Sequence, residues 1–243
     1  MTITIDLNAD GSGNGVDFKA MLADFDANFS KGLFNYGEFL NGSGLFQGEQ
    51  YYLSDEDSGS SYTGGFLASS NSGTDFSYDI STHEIVGNLD QLSFGETKAQ
   101  DANGDYYLSD SSVDISGLAL SSSETGTVLT GLFSGDSSEL QSVFASEGVE
   151  INGSTGDDVI GGWAGDDVLT GNGGADTFEF DTSADFGDDT VTDFTDGTDL
   201  LDIDYASVTV ADDGSGNALI SHANGTVTLT GVDYTDIDAT DFV

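Results

Sequence analysis

From Val16 to Lys31 the apolar residues return at Phe18, Met21, Leu22, Phe25 and Phe29. That is the i, i+3, i+4, i+7, i+11 spacing of one helical face, with Gly32 as its expected stop. Between about 43 and 118 the period falls to two, broken by Gly and Ser turns, which predicts strands. A second helix is expected over about 123–134, with Val128, Leu129, Leu132 and Phe133 on one face. A third should start from a cap at Ser137 or Ser138 and run through Leu140, Val143 and Phe144 to Gly148. A helix, a run of strands and then helices predict an α+β domain over residues 1–150, with a boundary near 149–153.

Past that boundary a nine-residue repeat takes over. It reads Gly156-Asp157-Asp158-Val159-Ile160, Gly165-Asp166-Asp167-Val168-Leu169 and Gly174-Ala175-Asp176-Thr177-Phe178, with Gly153, Gly162 and Gly171 in the same register. Gly permits left-handed turns, Asp supplies a carboxylate, and the apolar residue plugs a flattened coil. This is the spacing of the calcium-binding nonapeptide. An acidic Gly-rich linker is the bland alternative. After the repeat, residues 201–231 alternate again (Val208, Val210; Leu219; Val227, Leu229) about a turn at Asn224-Gly225.

Charge sharpens the contrast between the halves. Of 243 residues, 45 are Asp or Glu and only 3 are Lys or Arg, a net charge of −42. Such a field repels phosphate, so nucleic acid is excluded as a partner, and anionic lipid is disfavoured. No apolar run is long enough to span a bilayer. With no Cys there is neither a disulfide framework nor a thiolate metal site. So acidic a chain has the composition of a disordered one, yet its 16 Phe and 9 Tyr can build a core. Cations that neutralise the short carboxylates of the second half would reconcile the two. The opening Met-Thr-Ile-Thr-Ile-Asp has neither the basic nor the long apolar segment of an ordinary export signal.

The repeats resemble the RTX family. That resemblance implies an all-β, calcium-binding parallel β-roll over residues 151–243, with ions held between turns two repeats apart. Asp158 and Asp176 would share one site and Asp167 would pair with a later turn; Asp157, Asp166, Gly156, Gly165 and Gly174 complete the turns. Asp189-Thr190-Val191-Thr192-Asp193-Phe194 with Asp199 resembles the closing segment of serralysin-type secreted proteases, which adds Asp189, Asp193 and Asp199 as calcium ligands. The terminal Asp241-Phe242-Val243 resembles the signal read by type I secretion machinery, implying an extracellular protein, free or associated with the cell surface.

The stretch His83-Glu84-Ile85-Val86-Gly87-Asn88-Leu89-Asp90-Gln91-Leu92-Ser93-Phe94-Gly95 resembles the secreted haemophores (haem-acquisition protein A). Gly117-Leu118-Ala119-Leu120-Ser121 and Gly131-Leu132-Phe133-Ser134-Gly135-Asp136 continue it. The resemblance implies a curved antiparallel sheet with helices on one face, and haem gripped between two loops by a Tyr whose hydroxyl a His supports. His83 stands in the supporting place. Tyr78 lies five residues before it, and Phe76 competes for the tyrosine's place; on the opposite loop, Lys31 to Leu40, Tyr36 is the plausible ligand. A strand Tyr that merely packs, or a surface His, are the plain alternatives for these residues.

Two functions follow. One is an extracellular calcium-binding protein whose first domain binds haem for iron acquisition. The other is a calcium-dependent structural or matrix protein that self-assembles and has lost haem binding; poorly guarded strand edges would permit that pairing. An enzyme is not expected, since no zinc-protease, nucleophile-elbow or phosphate-loop motif occurs.

Overall fold

A computed structural model describes residues 2–42, 44–56, 62–70 and 75–243. Parts of the 43–118 stretch read as strands therefore lie outside the described residues. The chain divides into two compact units, one over residues 20–141 and one combining residues 2–19 with 142–243. This differs from a division at 150. The strand Ile3–Leu7 pairs in parallel with Val149–Asn152, Ile5 opposite Ile151, and so joins the C-terminal residues. A parallel partner so far along the chain leaves no local mark in the sequence.

In the first unit, Val113–Ser116, Gln91–Gly95, Gly65–Ser69, Gln50–Ser54 and Glu38–Leu40 lie side by side, all antiparallel. A smaller antiparallel group holds Gln47–Gly48, Phe76–Asp79 and Glu84–Val86. The helices are α1 (Phe18–Asn28), α2 (Ser122–Phe133) and α3 (Ser138–Glu147). The first starts in one unit and finishes in the other, and so does the third. Helix α1 is shorter than its apolar period. At its end Ser30 N donates to the Asp55 carboxylate at 2.6 Å, which draws the backbone out of the helix before Lys31. The core is aromatic: Phe25 stacks on Phe29 at 4.5 Å and meets the edge of Phe94 at 5.8 Å. Fully burying such a side chain contributes roughly 1.5–3 kcal/mol.

The second unit winds between two parallel sheets. Val149–Asn152, Val168–Thr170, Gly187–Val191 and Gly225–Leu229 pair successively in one. Val159–Ile160, Thr177–Glu179 and Leu200–Asp202 pair in the other. Nine residues therefore carry the chain from one sheet to the other, and eighteen complete a circuit of the regular part. Ile5, Ile151, Leu169, Val191 and Leu229 stack as one buried row; Ile160, Phe178 and Leu201 form the second. The expected hairpin pairs Ala218–His222 with Gly225–Leu229, its turn at Ala223-Asn224 rather than Asn224-Gly225, with Thr209–Asp212 antiparallel beyond it.

Candidate functional site

In the first unit a cleft of about 570 Å³ lies beside the small sheet. That is within the range of about 300–1,000 Å³ usual for small-molecule sites. Tyr36, Tyr78 and His83 all line it, together with Phe39, Leu45, Phe46, Ile85, Leu129 and Phe133. The three residues singled out from the sequence are thus brought to one place.

A hairpin positions two of them. Phe76–Asp79 and Glu84–Val86 pair with Tyr78 opposite Ile85. The turn between them closes through His83 N donating to Asp79 O at 2.8 Å, while Ser81 N and Oγ donate to the Asp79 carboxylate. The Ser81 bonds hold Asp79 below the usual carboxylate range. His83 sits at φ 64°, a left-handed conformation uncommon for a side chain other than Gly. In that geometry Tyr78 Oη and His83 Nδ1 meet at 2.8 Å. With the imidazole proton on Nε2, the phenol donates to Nδ1. Tyr78 is 37 % exposed, so its oxygen is accessible from the cleft. Phe76, the competing aromatic residue, is fully buried. Strand alternation does not separate them, since Phe76 and Tyr78 are two apart and share a face; what differs is burial, Phe76 being fully buried and Tyr78 exposed near the strand's end.

The opposite wall is equally anchored. Tyr51 is completely buried and donates its hydroxyl to the Tyr36 carbonyl at 2.8 Å. Burial pushes the Tyr51 phenol well above its ordinary pKa, so it stays a donor. Gly37 lies directly on the Tyr51 ring at φ 73°, where any Cβ would collide with it. The Tyr36 ring itself stays 68 % exposed. Helix α2 supplies Leu129, Thr130 and Phe133, and it is tied down near the hairpin: Leu89 N donates to Thr125 Oγ1 at 3.0 Å and Gly87 N to Ser122 Oγ at 3.1 Å. Leu45 and Phe46 were not singled out in the sequence, and Phe133 was read only as part of a helix face, because an apolar position looks the same whether it lines a cleft or a core.

The carboxylates of the second unit occupy a different chemical setting. Asp158, Asp167, Asp176, Asp189 and Asp199 are all buried. Each accepts backbone N–H groups. Asp158 takes Ser154 N at 2.6 Å, Asp167 takes Trp163 N at 2.7 Å, and Asp199 takes Thr195 N at 2.8 Å, four residues back in each case. Bonds also run from circuit to circuit: Asp158 N to Asp176 at 2.9 Å, Asp176 N to Asp199 at 3.0 Å, and Asp167 N to Asp189 at 2.9 Å. Val16 N and Val149 N begin the two ladders, on Asp158 and Asp167. Outside them, Asp157 accepts from Ala175 N, Asp166 from Asp188 N, and Asp193 from Gly171 N and Asn172 N. Gly174, at φ 133°, packs so closely on the Gly156 carbonyl that a Cβ would not fit, and Gly165 packs on Gly148.

Burial raises the pKa of Asp167; it pushes Asp176 up to about 6 and Asp189 up to about 8. The neighbouring charges of Asp199, Asp158 and Asp193 add to the effect at Asp176, and those of Asp167 and Asp166 at Asp189. Among the described residues, no three carboxylate or imidazole side chains converge into a metal-holding cluster. Of the residues read as calcium ligands, Asp158, Asp167, Asp176, Asp189 and Asp199 are desolvated and bonded to backbone amides, whereas Asp157 and Asp166 are exposed and Asp193 is half-buried. His222 does not join them: its Nδ1 accepts from Asn224 N in the hairpin turn.

Comparison with known proteins places these observations. The family model of heme-binding protein A (HasA) matches residues 2–186. No curated protein matches the chain. Among solved structures, the holo hemophore HasA from Yersinia pestis is 23% identical over 60% of this chain and 89% of its own, with a TM-score of 0.48. A mutant HasA monomer from Yersinia pseudotuberculosis is 21% identical over the same shares, also at 0.48. A subunit of the Azotobacter vinelandii mannuronan C5-epimerase is 24% identical over 40% of this chain and 72% of its own, at 0.30. The family match takes in the opening strand, the cleft and the first circuits of the second unit: the chain belongs to the heme-binding protein A (HasA) family.

Proposed function

We propose that the protein binds haem in the cleft of its first unit, as a haemophore that takes up haem outside the cell. The observation that carries this reading is the 2.8 Å contact of Tyr78 Oη with His83 Nδ1 at an apolar cleft. The residues fit the group chemically. Ferric haem, when bound, supplies a hard iron centre that favours an anionic oxygen ligand. Tyr78 offers that oxygen, and a phenol of ordinary pKa about 10 needs a base beside it before it is an effective ligand. His83 Nδ1 accepts the phenol proton. Phe39, Leu45, Phe46, Ile85 and Leu129 exclude water from the cleft, and Tyr36 stands on the wall opposite as a second aromatic contact. Addition of haem should produce a Soret band shifted from that of free haem. Tyr78→Phe should lose it and His83→Ala should weaken binding; a native chain that leaves the haem spectrum unchanged ends the reading.

The second unit supports a companion reading as a calcium-responsive β-roll suited to type I secretion. Burial, and to a smaller degree the neighbouring carboxylates, leave Asp176 and Asp189 holding protons that a cation would displace, and hard oxygen donors suit calcium. Extracellular modules bind calcium at about 10⁻⁴–10⁻³ M, so ions would complete the fold after export. Asp158→Ala and Asp176→Ala should each raise the calcium needed to fold the unit, followed by Trp163 fluorescence; an unchanged calcium midpoint in both refutes the assignment. Self-association is the alternative. Thr209–Asp212 ends the strand order of its sheet, and an open edge can pair with another chain. Particle size with and without calcium distinguishes a monomer from an assembly.

A further inference from the structure

Only three basic side chains stand against 45 acidic ones. Two of them are spoken for: Lys19 pairs with Glu179 at 3.7 Å, and Lys98 pairs with Glu38 on the cleft wall. Lys31 is different. Among the described residues no carboxylate lies within ion-pair distance of it. Its ammonium stands 4.3 Å from the centroid of the Phe133 ring and 5.5 Å from that of Tyr36, and both rings line the cleft. In so acidic a protein almost any lysine can find a carboxylate. This one is held instead between two aromatic rings at the cleft's edge, an attraction worth less than a well-made pair and easily shared with an incoming anion.

We propose that Lys31 is the anion subsite of the cleft, recognising a carboxylate side chain of the bound tetrapyrrole. This rests on the haem reading above and adds to it. Haem carries two carboxylates, and a chain of net charge −42 repels them. Lys31 offsets that repulsion where the ligand enters, while Lys98 neutralises Glu38, the acid on the cleft wall. The lysine thereby orients the ring, carboxylate edge toward Lys31 and macrocycle toward the apolar lining. Preference for the diacid over an uncharged porphyrin is then a property of one side chain.

The test uses the full chain and two probes, ferric protoporphyrin IX and its dimethyl ester, both delivered from dimethyl sulfoxide and followed by Soret absorbance. Lys31→Met should weaken the diacid about three- to fivefold, as expected for one partly exposed ion pair. It should leave the ester unchanged and the Soret position of the bound diacid unaltered, since Tyr78 is untouched. Lys31→Arg should restore the diacid, and added salt should narrow the gap between native and Lys31→Met. Equal weakening of both probes, or of neither, overturns the role of Lys31 while leaving haem binding intact. A native chain that binds neither porphyrin overturns the haem reading, and this subsite with it.

Discussion

The two units handle acidic side chains in opposite ways. In the first, carboxylates stay at the surface as turn and cap acceptors, and aromatic rings fill the interior: Asp101 and Asp110 tie exposed turns, while Phe25, Phe66 and Phe94 are fully buried. In the second, Asp241 and the five aspartates of the circuits are themselves interior, those five strung together by backbone amides. A polar group can be buried only where hydrogen bonds replace water, and a buried charge costs more than that unless something compensates it. The first unit is therefore free to keep a polar pair, Tyr78 and His83, for a ligand. The second has committed its carboxylates to its own architecture, and burial of these acids makes its stability answer to protons.

The sharpest way to break this contrast is Asp158→Ala. It strands the N–H groups of Ser154 and Val16 in the interior, for a loss of about 3 kcal/mol or more. Urea denaturation followed by Trp163, which packs on Phe144 at 4.6 Å within the second unit, reads it directly. A native-like midpoint would mean that the ladder bears no weight.

Next is the pH dependence of the metal-free protein. Folded Asp176 and Asp189 hold protons up to about pH 6 and about pH 8, whereas unfolded aspartates release theirs near 3.9. Between about pH 4 and 8 the folded state binds more protons, so stability falls as pH rises. The Trp163 midpoint in chelator should therefore climb from pH 8 to pH 5, and millimolar calcium should flatten the slope. A midpoint that falls over that range contradicts the burial of these groups.

A smaller effect is expected in the first unit from Asp26→Ala. Asp26 accepts from Ser137 N at 2.6 Å and from Ser137 Oγ at 2.9 Å, where α3 begins. Its removal should cost about 1 kcal/mol by near-ultraviolet circular dichroism of the tyrosines, with no change in the calcium response. The smallest belongs to Leu45→Ser. Leu45 is 89 % exposed, and the substitution should move stability by less than about 0.5 kcal/mol. A large loss would show that the cleft rim is part of the core.

Helices α2 and α3 follow their apolar periods to within a residue or two, and the last hairpin follows its alternation with its turn at Ala223-Asn224, one residue before the expected Asn224-Gly225. These were legible because local propensity and burial agree there. Helix α1 was overextended, since Asp55, a residue distant in sequence, ends it through Ser30. Tyr78 and His83 could be named from the family resemblance and their spacing. Their contact could not, because it depends on a four-residue turn that places His83 at positive φ.

By itself the sequence determined the nine-residue alternation of apolar plug and aspartate, the helical faces and the overwhelming negative charge. Each of these is a statement about neighbours along the chain. The tertiary structure alone decided that the opening strand belongs with the C-terminal residues, that the aspartates accept amides from the adjoining circuit, and that Lys31 lies against the Phe133 and Tyr36 rings with, among the described residues, no carboxylate in ion-pair range. Such contacts join residues far apart in sequence. Their free energy depends on desolvation and on which groups meet, and neither is written into the order of the residues.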